Sequence, residues 1–261
     1  MLGVVQGVTE FLPVSSTAHL LLTERLLGHR DPNGVFTVMI QLGSIFAVMW
    51  IYRAKLAALV TGLFSDQDSR SFAVAIVLAT IPALVAGALF SAFIKRVLYA
   101  SPKVFAVAFI AGGIVMLIVE RVRPVPTVLD AERTTWPRAL GIGICQTLAL
   151  IPGVSRSGAT IVGGMMVGLD RPAAAEFSFF LAIPTMSAAF AHELLGVRHE
   201  LSSALSLEIF VGLVMAFISS LLVIRPFLYF VKRNGFAPFA WYRIVLGGAL
   251  LAAMAAGWMQ G

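Results

Sequence analysis

The sequence predicts an all-α integral membrane protein with six transmembrane helices plus two re-entrant helix pairs, arranged as an inverted-topology repeat. Three observations lead there. Of 261 residues, 59% are hydrophobic and 12% charged, with a mean hydropathy of +0.93, whereas a soluble domain carries about 25% charged residues. Six windows free of charge are long enough, with their flanks, to cross a bilayer, and two further apolar stretches are each interrupted by Pro, Gly and Ser. The 19 Lys+Arg against 13 Asp+Glu lie scattered between apolar runs without a contiguous basic face, which argues against nucleic acid as a partner. The single cysteine, Cys145, excludes an intramolecular disulfide and a cysteine-based metal cluster. The opening Met1-Leu2-Gly3-Val4 carries no positive side chain, unlike the start of a cleavable signal peptide.

A helix rises about 1.5 Å per residue and has about 30 Å of hydrocarbon to cross, so roughly 17 to 25 mostly apolar residues mark a span. In chain order, the first interrupted stretch is 2–27, followed by spans at 35–52, 72–94 and 104–119. The second interrupted stretch is 139–169, followed by spans at 177–191, 209–224 and 244–261. The windows 177–191 and 209–224 are short and need flanks such as 173–175 and 205–207 to complete a crossing. Pro82 and Pro184 fall inside spans and read as tolerated kinks. The interruptions read Phe11-Leu-Pro-Val-Ser-Ser-Thr-Ala-His19 and Ile151-Pro-Gly-Val-Ser-Arg-Ser-Gly-Ala-Thr160. Non-helical backbone at membrane depth survives only where protein buries it or water reaches it, so both breaks are expected to line a polar cavity.

An offset of 140 residues lays Gly3-Val-Val-Gln6 on Gly143-Ile-Cys-Gln146 and Val14-Ser15 on Val154-Ser155. Nearly the same offset lays Phe36 on Phe177. The chain therefore reads as one membrane domain over 1–261, with one repeat at about 1–123 and the other at about 138–261. Three spans per unit is an odd number, so the second unit enters the bilayer inverted and the breaks meet near the midplane from opposite faces. Arg53, Lys55, Arg70, Arg121, Arg123, Arg133, Arg138, Lys232 and Arg233 follow the first, third and fifth spans. The other side carries Arg25, Arg30, Lys95, Arg96, Lys103 and Arg198. The positive-inside rule assigns the richer side to the cytoplasm, which puts both termini outside.

Ionisable groups inside a membrane are costly and by default functional. The first break offers Gln6 and Glu10, four apart and so on one helical face, then Ser15, Ser16 and His19; the second offers Ser155, Arg156, Ser157 and Thr160. A carboxylate suits a hard divalent cation, and a guanidinium presents a fork of donors that matches phosphate oxygens. Gly158 at a helix start lets backbone N–H groups approach an anion in the positive end of the helix dipole. Together these groups describe a phosphate or diphosphate site. Ser16 and His19 add a hydroxyl and an imidazole, and spacing does not choose which attacks phosphorus. A structural reading stands beside these: Ser157 and Thr160 as helix-backbone donors, Glu10 with Arg156 as a structural ion pair, His19 as a packing residue near an interface, Gln6 as a backbone tie.

Elsewhere, His192-Glu193 opens like a zinc-protease helix, but Gly196 stands where the second histidine is required. His199 and Glu200 read as a solvated connection, and Glu176 as an interface anchor at a span entrance. No nucleotide-binding Gly-x-x-x-x-Gly-Lys string occurs. Gly112-Gly113 and Gly247-Gly248 permit close helix packing within one chain or in a homodimer.

The segments Gln6-Gly-Val-Thr-Glu10-Phe-Leu-Pro-Val-Ser-Ser-Thr-Ala-His19 and Pro152-Gly-Val-Ser-Arg-Ser-Gly-Ala-Thr160 resemble the two signature motifs of the bacterial undecaprenyl-diphosphate phosphatase family of the bacitracin-resistance type. The likeness extends to Phe177-Ser-Phe-Phe-Leu-Ala-Ile-Pro184 and Pro238-Phe-Ala-Trp-Tyr-Arg243. The resemblance implies a multi-pass enzyme of the bacterial inner membrane that hydrolyses undecaprenyl diphosphate to undecaprenyl phosphate and inorganic phosphate, recycling the carrier lipid for peptidoglycan synthesis. It further implies resistance to bacitracin, which acts by sequestering that lipid, a divalent cation such as Mg²⁺ or Ca²⁺, and a site reached from the outer face. By the same resemblance Glu10 is the acidic residue linked to metal or proton transfer, Ser16 and His19 supply the nucleophile, and Arg156 binds phosphate with Ser155, Ser157 and Thr160 around it. Gln6 stands where many members have Glu, which leaves metal binding more dependent on Glu10. The competing reading is a transporter or flippase of a polyprenyl phosphate, since inverted repeats with broken helices also build carriers; a purely scaffolding subunit fits the concentrated polar residues poorly.

Overall fold

The computed structural model describes residues 1–29, 31, 34–98, 101–197 and 203–257. Among them the chain forms eleven α-helices and no sheet, the sole β pairing being an isolated bridge between Val128 and Leu169. The first interrupted stretch becomes α1 (Leu2–Thr9) and α2 (Ser16–Leu27). Next come α3 (Val35–Ile51), α4 (Arg53–Gly62), α5 (Gln67–Phe93) and α6 (Pro102–Val122). The second interrupted stretch becomes α7 (Trp136–Thr147) and α8 (Arg156–Met166), joined through a 3-10 turn at Leu148–Leu150. The chain continues as α9 (Arg171–Val197), α10 (Ser203–Asn234) and α11 (Ala237–Ala255).

By length and composition, five described helices can cross a membrane, and a sixth if α3 and α4 together count as one broken span. The window at 35–52 is thus realised differently from expectation: α3 is bent by 74° against α4 at Tyr52, where the apolar run gives way to Arg53 and Lys55. The windows at 104–119, 177–191 and 209–224 all lengthen, because their charged flanks continue the helix. Pro82 and Pro184 lie inside helices as expected, and so does Pro226. The last helix starts at Ala237, with Pro238 in its first turn, where its missing N–H goes unneeded. That early start places Arg243 inside the helix.

Lipid supplies little hydrophobic drive between helices, so close backbone approach at small residues carries much of the packing. α1 lies on α10 with Gly3 against the Gly212 carbonyl and Gly7 against that of Ala216. α7 lies on α5 with Gly143 against the Ala79 carbonyl; a Cβ at any of these positions would overlap backbone. Gly113 and Gly247 are consumed the same way between α6 and α11, while Gly112 makes room for the Arg243 guanidinium. Around the first break an aromatic ladder runs from Phe11 to Phe179 at 5.2 Å and on through Phe227 to Phe239 at 5.5 Å. It ties the break to α9, α10 and α11.

On one side of the bundle Lys55 pairs with Glu132 at 2.9 Å and with Glu176 at 2.8 Å, and Arg171 pairs with Glu120 beside Gly235. These contacts gather the segments that follow α3, α6 and α10 onto a single face. Glu176 is accordingly an ion-pair anchor. The side chains of His192 and Glu193, together with Arg30, Arg198, His199 and Glu200, lie outside the described residues.

Candidate active site

The two breaks meet. Arg156, at the first turn of α8, donates from Nη2 to Glu10 Oε1 at 2.9 Å, and the two side chains are 14% and 6% exposed. The other carboxylate oxygen, Oε2, accepts from Gln6 Nε2 at 2.9 Å and from the Ser16 hydroxyl at 2.6 Å. Gln6 and Glu10 meet because residues four apart share a helical face, and Glu10 ends α1. Ser16 meets the same carboxylate because the chain doubles back between Glu10 and Ser15. Part of that reversal is strained: Ser15 has φ +66°, the one positive φ at a non-glycine residue among those described.

Arg156 is held from three directions. Nη1 donates to the Ser178 carbonyl at 3.0 Å, Nη2 lies 3.2 Å from Met186 Sδ, and the guanidinium stands 5.9 Å over the Phe11 ring. Its Nε–H is buried without a partner, as is the Oε1 of Gln6. The centre of the site therefore holds one unused donor and one unused acceptor, on groups flanking the same carboxylate.

The second break is shaped locally. Ser155 caps α8, its Oγ accepting from Gly158 N–H at 3.1 Å and lying 2.9 Å from Ser157 Oγ. Ser157 donates to the Leu12 carbonyl at 2.8 Å, which straps the second break onto the first. Thr160 lies 2.9 Å from the Arg156 carbonyl and 2.7 Å from Ser178 Oγ. Ser157 and Thr160 thus use their hydroxyls as struts beneath Arg156. Gly153 has φ +90°, and a Cβ there would sit 2.8 Å from the Phe105 carbonyl.

His19 is in the same cluster but engaged differently. Its Nδ1 lies 2.8 Å from the Ser15 carbonyl and its Nε2 2.6 Å from Tyr242 Oη. The hydroxyl of Ser16 is bonded to Glu10, so the closest proton acceptor for Ser16 is a carboxylate rather than the imidazole.

Two residues of α11 complete the site, and the sequence reading did not assign them. Arg243 is 1% exposed and donates to four carbonyls: Pro13 and Gly153 from the two breaks at 3.1 Å each, and Ala108 at 3.1 Å and Phe109 at 3.4 Å on α6. Among the described residues it has no acidic partner. Glu10 and Arg156 cancel in charge, so Arg243 leaves the site net positive. The signal was an arginine directly before an apolar window with Pro238 upstream, which a helix starting at the proline would carry a turn inward.

For a divalent cation the residues present offer the Glu10 carboxylate and the unpartnered Gln6 Oε1. No group of three or more His, Cys, Asp or Glu gathers among the described residues. Hard cations are commonly held by one or two carboxylates with substrate phosphate oxygens and water completing the shell. The donor set fits a cation that arrives with a phosphate ligand, and does not fit a closed all-protein cage.

Comparison with known proteins gives one answer along the whole chain. Residues 1–249 match the family model described as bacitracin resistance protein BacA. The chain is 48% identical over 258 residues to a protein of Cereibacter sphaeroides named undecaprenyl-diphosphatase, covering 99% of this chain and 96% of the relative. It is 47% identical over 254 residues to undecaprenyl-diphosphatase 1 of Agrobacterium fabrum, covering 97% and 95%. It is 48% identical over 255 residues to undecaprenyl-diphosphatase 3 of Acinetobacter baylyi, covering 97% and 96%.

Proposed function

This chain belongs to the bacitracin resistance protein BacA family, and on that premise we propose that it hydrolyses undecaprenyl diphosphate to undecaprenyl phosphate and inorganic phosphate where the two breaks meet. It is a multi-pass membrane enzyme of cell-wall lipid recycling, and turnover of the lipid diphosphate removes the molecule that bacitracin sequesters. The observation that carries the site assignment is the Glu10–Arg156 pair, flanked by the free Arg156 Nε–H and the free Gln6 Oε1.

Phosphoryl transfer depends mainly on positioning and on neutralising charge. Arg156 receives a terminal phosphate oxygen at Nε, already fixed by Ser178, Met186 and Glu10. Ser155 holds the start of α8, whose N-terminus favours an anion. Arg243 beneath both breaks supplies the uncompensated positive charge. Ser16 is the nucleophile: its hydroxyl already donates to Glu10 Oε2, so the proton passes to the carboxylate as Oγ bonds to the terminal phosphorus. The bridging P–O bond breaks and undecaprenyl phosphate leaves. Water then attacks the phosphoserine and gives its proton to His19 Nε2. Glu10 returns its proton to Ser16, His19 releases its proton to solvent, and inorganic phosphate departs. Glu10 and Gln6 Oε1 are the protein ligands for a cation such as Mg²⁺ or Ca²⁺, which when bound neutralises charge on the diphosphate oxygens. The Ser16–Glu10 bond favours hydrolysis over carriage, because a flippase needs charge on its ligand but no activated hydroxyl.

The chain lies in the inner membrane as one domain of two inverted repeats, with both termini and the site on the outer side. Supporting this, Gly3 of α1 rests on α10 as its offset partner Gly143 of α7 rests on α5. The basic segments after α3, α6 and α10 also share one face, which the positive-inside rule makes cytoplasmic. The test is phosphate release from C55 diphosphate by purified protein in detergent with added Mg²⁺ or Ca²⁺. Arg156→Ala and Glu10→Ala are each expected to lower the rate by roughly 10² to 10³. Full activity in either variant rejects the site.

A further inference from the structure

The geometry around the imidazole points to Tyr242 as a positioning residue that fixes the tautomer and ring orientation of His19. The inference rests on the hydrolytic reading above, in which His19 Nε2 takes a proton. It begins in the strained turn at Ser15, with φ +66° and ψ +94°, whose carbonyl lies 2.8 Å from Nδ1 of the imidazole four residues on. A carbonyl oxygen only accepts, so at 2.8 Å it requires the proton of neutral His19 to sit on Nδ1. Nε2 then presents a lone pair, and among the described residues the one group in hydrogen-bond contact with it is the Tyr242 hydroxyl at 2.6 Å, which must donate. In His and metal sites alike, the bond made by one ring nitrogen decides the state of the other.

Both nitrogens are therefore held, and a ring held at both ends does not flip. The rings of His19 and Tyr242 lie within 13° of parallel with centroids 5.7 Å apart, and Phe109 closes the other flank at 6.0 Å. The tyrosine itself is anchored: the next residue on α11, Arg243, is bonded to the Pro13 carbonyl of the same break that carries His19. A phenolic hydroxyl both donates and accepts. It donates to Nε2 while the imidazole is neutral, and it swings off that single lone pair when the attacking water delivers its proton there. The other functional hydroxyl, Ser16, is committed to Glu10, and among the described residues no second group holds His19 Nε2.

Tyr242→Phe deletes only the hydroxyl and keeps the ring stack. For phosphate release from C55 diphosphate, kcat is expected to fall about three- to tenfold, the range of one lost hydrogen bond, with KM within about twofold and the unfolding midpoint in detergent unchanged. In a His19→Ala background the same change is expected to leave the residual rate unaltered. A Tyr242→Phe protein with wild-type kcat, or one that loses the same factor without His19, overturns the inference. The ¹⁵N resonances of His19 read the contact without turnover: Nε2 is expected to shift in Tyr242→Phe while Nδ1 remains in its protonated position, and an unmoved Nε2 also overturns it. Were the wild-type protein to release no phosphate while Nε2 still shifted, the hydrolytic reading would fall and the contact would stand.

Discussion

Arg243→Met removes the guanidinium on which both breaks close, and its cost follows from what each acceptor loses. Ala108 and Phe109 belong to α6, so their carbonyls keep partners in the helix. Pro13 and Gly153 lie in the breaks, outside any helical ladder, and at 3.1 Å each depends on Arg243. Leaving a buried acceptor unsatisfied costs about 1–3 kcal/mol, so two together cost about 2–6 kcal/mol. That is a large share of the stability of an ordinary domain, about 5–15 kcal/mol. Methionine is uncharged but shorter than arginine, so the cost of the space it leaves adds to this loss. The site also loses its uncompensated positive charge, since Glu10 and Arg156 neutralise each other. Denaturant titration in detergent micelles measures the first effect, and KM for the lipid diphosphate, which should rise, measures the second. Arg243→Lys should restore much of KM but only part of the stability, because one ammonium cannot reach all four carbonyls. An Arg243→Met protein within about 1 kcal/mol of wild type, with unchanged KM, would refute the reasoning.

Gln6→Glu places a second carboxylate where an unpartnered amide oxygen now lies beside Glu10; the concentration of Mg²⁺ or Ca²⁺ giving half-maximal phosphate release should fall, and an unchanged or higher value counts against cation binding there. Gly153→Ala forces a Cβ onto a residue at φ +90° and to 2.8 Å from the Phe105 carbonyl, so the same titration should show a loss above about 1 kcal/mol, and a neutral result would mean that the break relaxes freely. Arg156→Lys keeps the charge but has no Nε–H and no fork, and phosphate release should drop roughly 10²-fold; near-normal turnover would show that a point charge suffices.

What could be read along the chain was whatever repeats or closes within a few residues. Apolar runs set the spans, Pro, Gly and Ser located both breaks, and the four-residue spacing put Gln6 and Glu10 on one face. Where that reading fell short, the deciding neighbour was remote. The apolar window from 244 hid Arg243, because hydropathy sees a charge as the end of a span and cannot see four carbonyls arriving from elsewhere. Ser16 and His19, three residues apart, invited pairing with each other, yet the strained Ser15 turns them to different partners.

The sequence alone determined that this chain lives in a bilayer, where it must break, and which reactive groups the breaks carry, since those follow from solvation and local backbone geometry. Tertiary structure decided how the groups are used. It brought Arg156 to Glu10 across 146 residues and Tyr242 to His19 across 223, and closed Arg243 on both breaks. The reason is physical: periodicity encodes the face a residue presents, whereas its partner is chosen only when helices pack and every buried donor must find an acceptor.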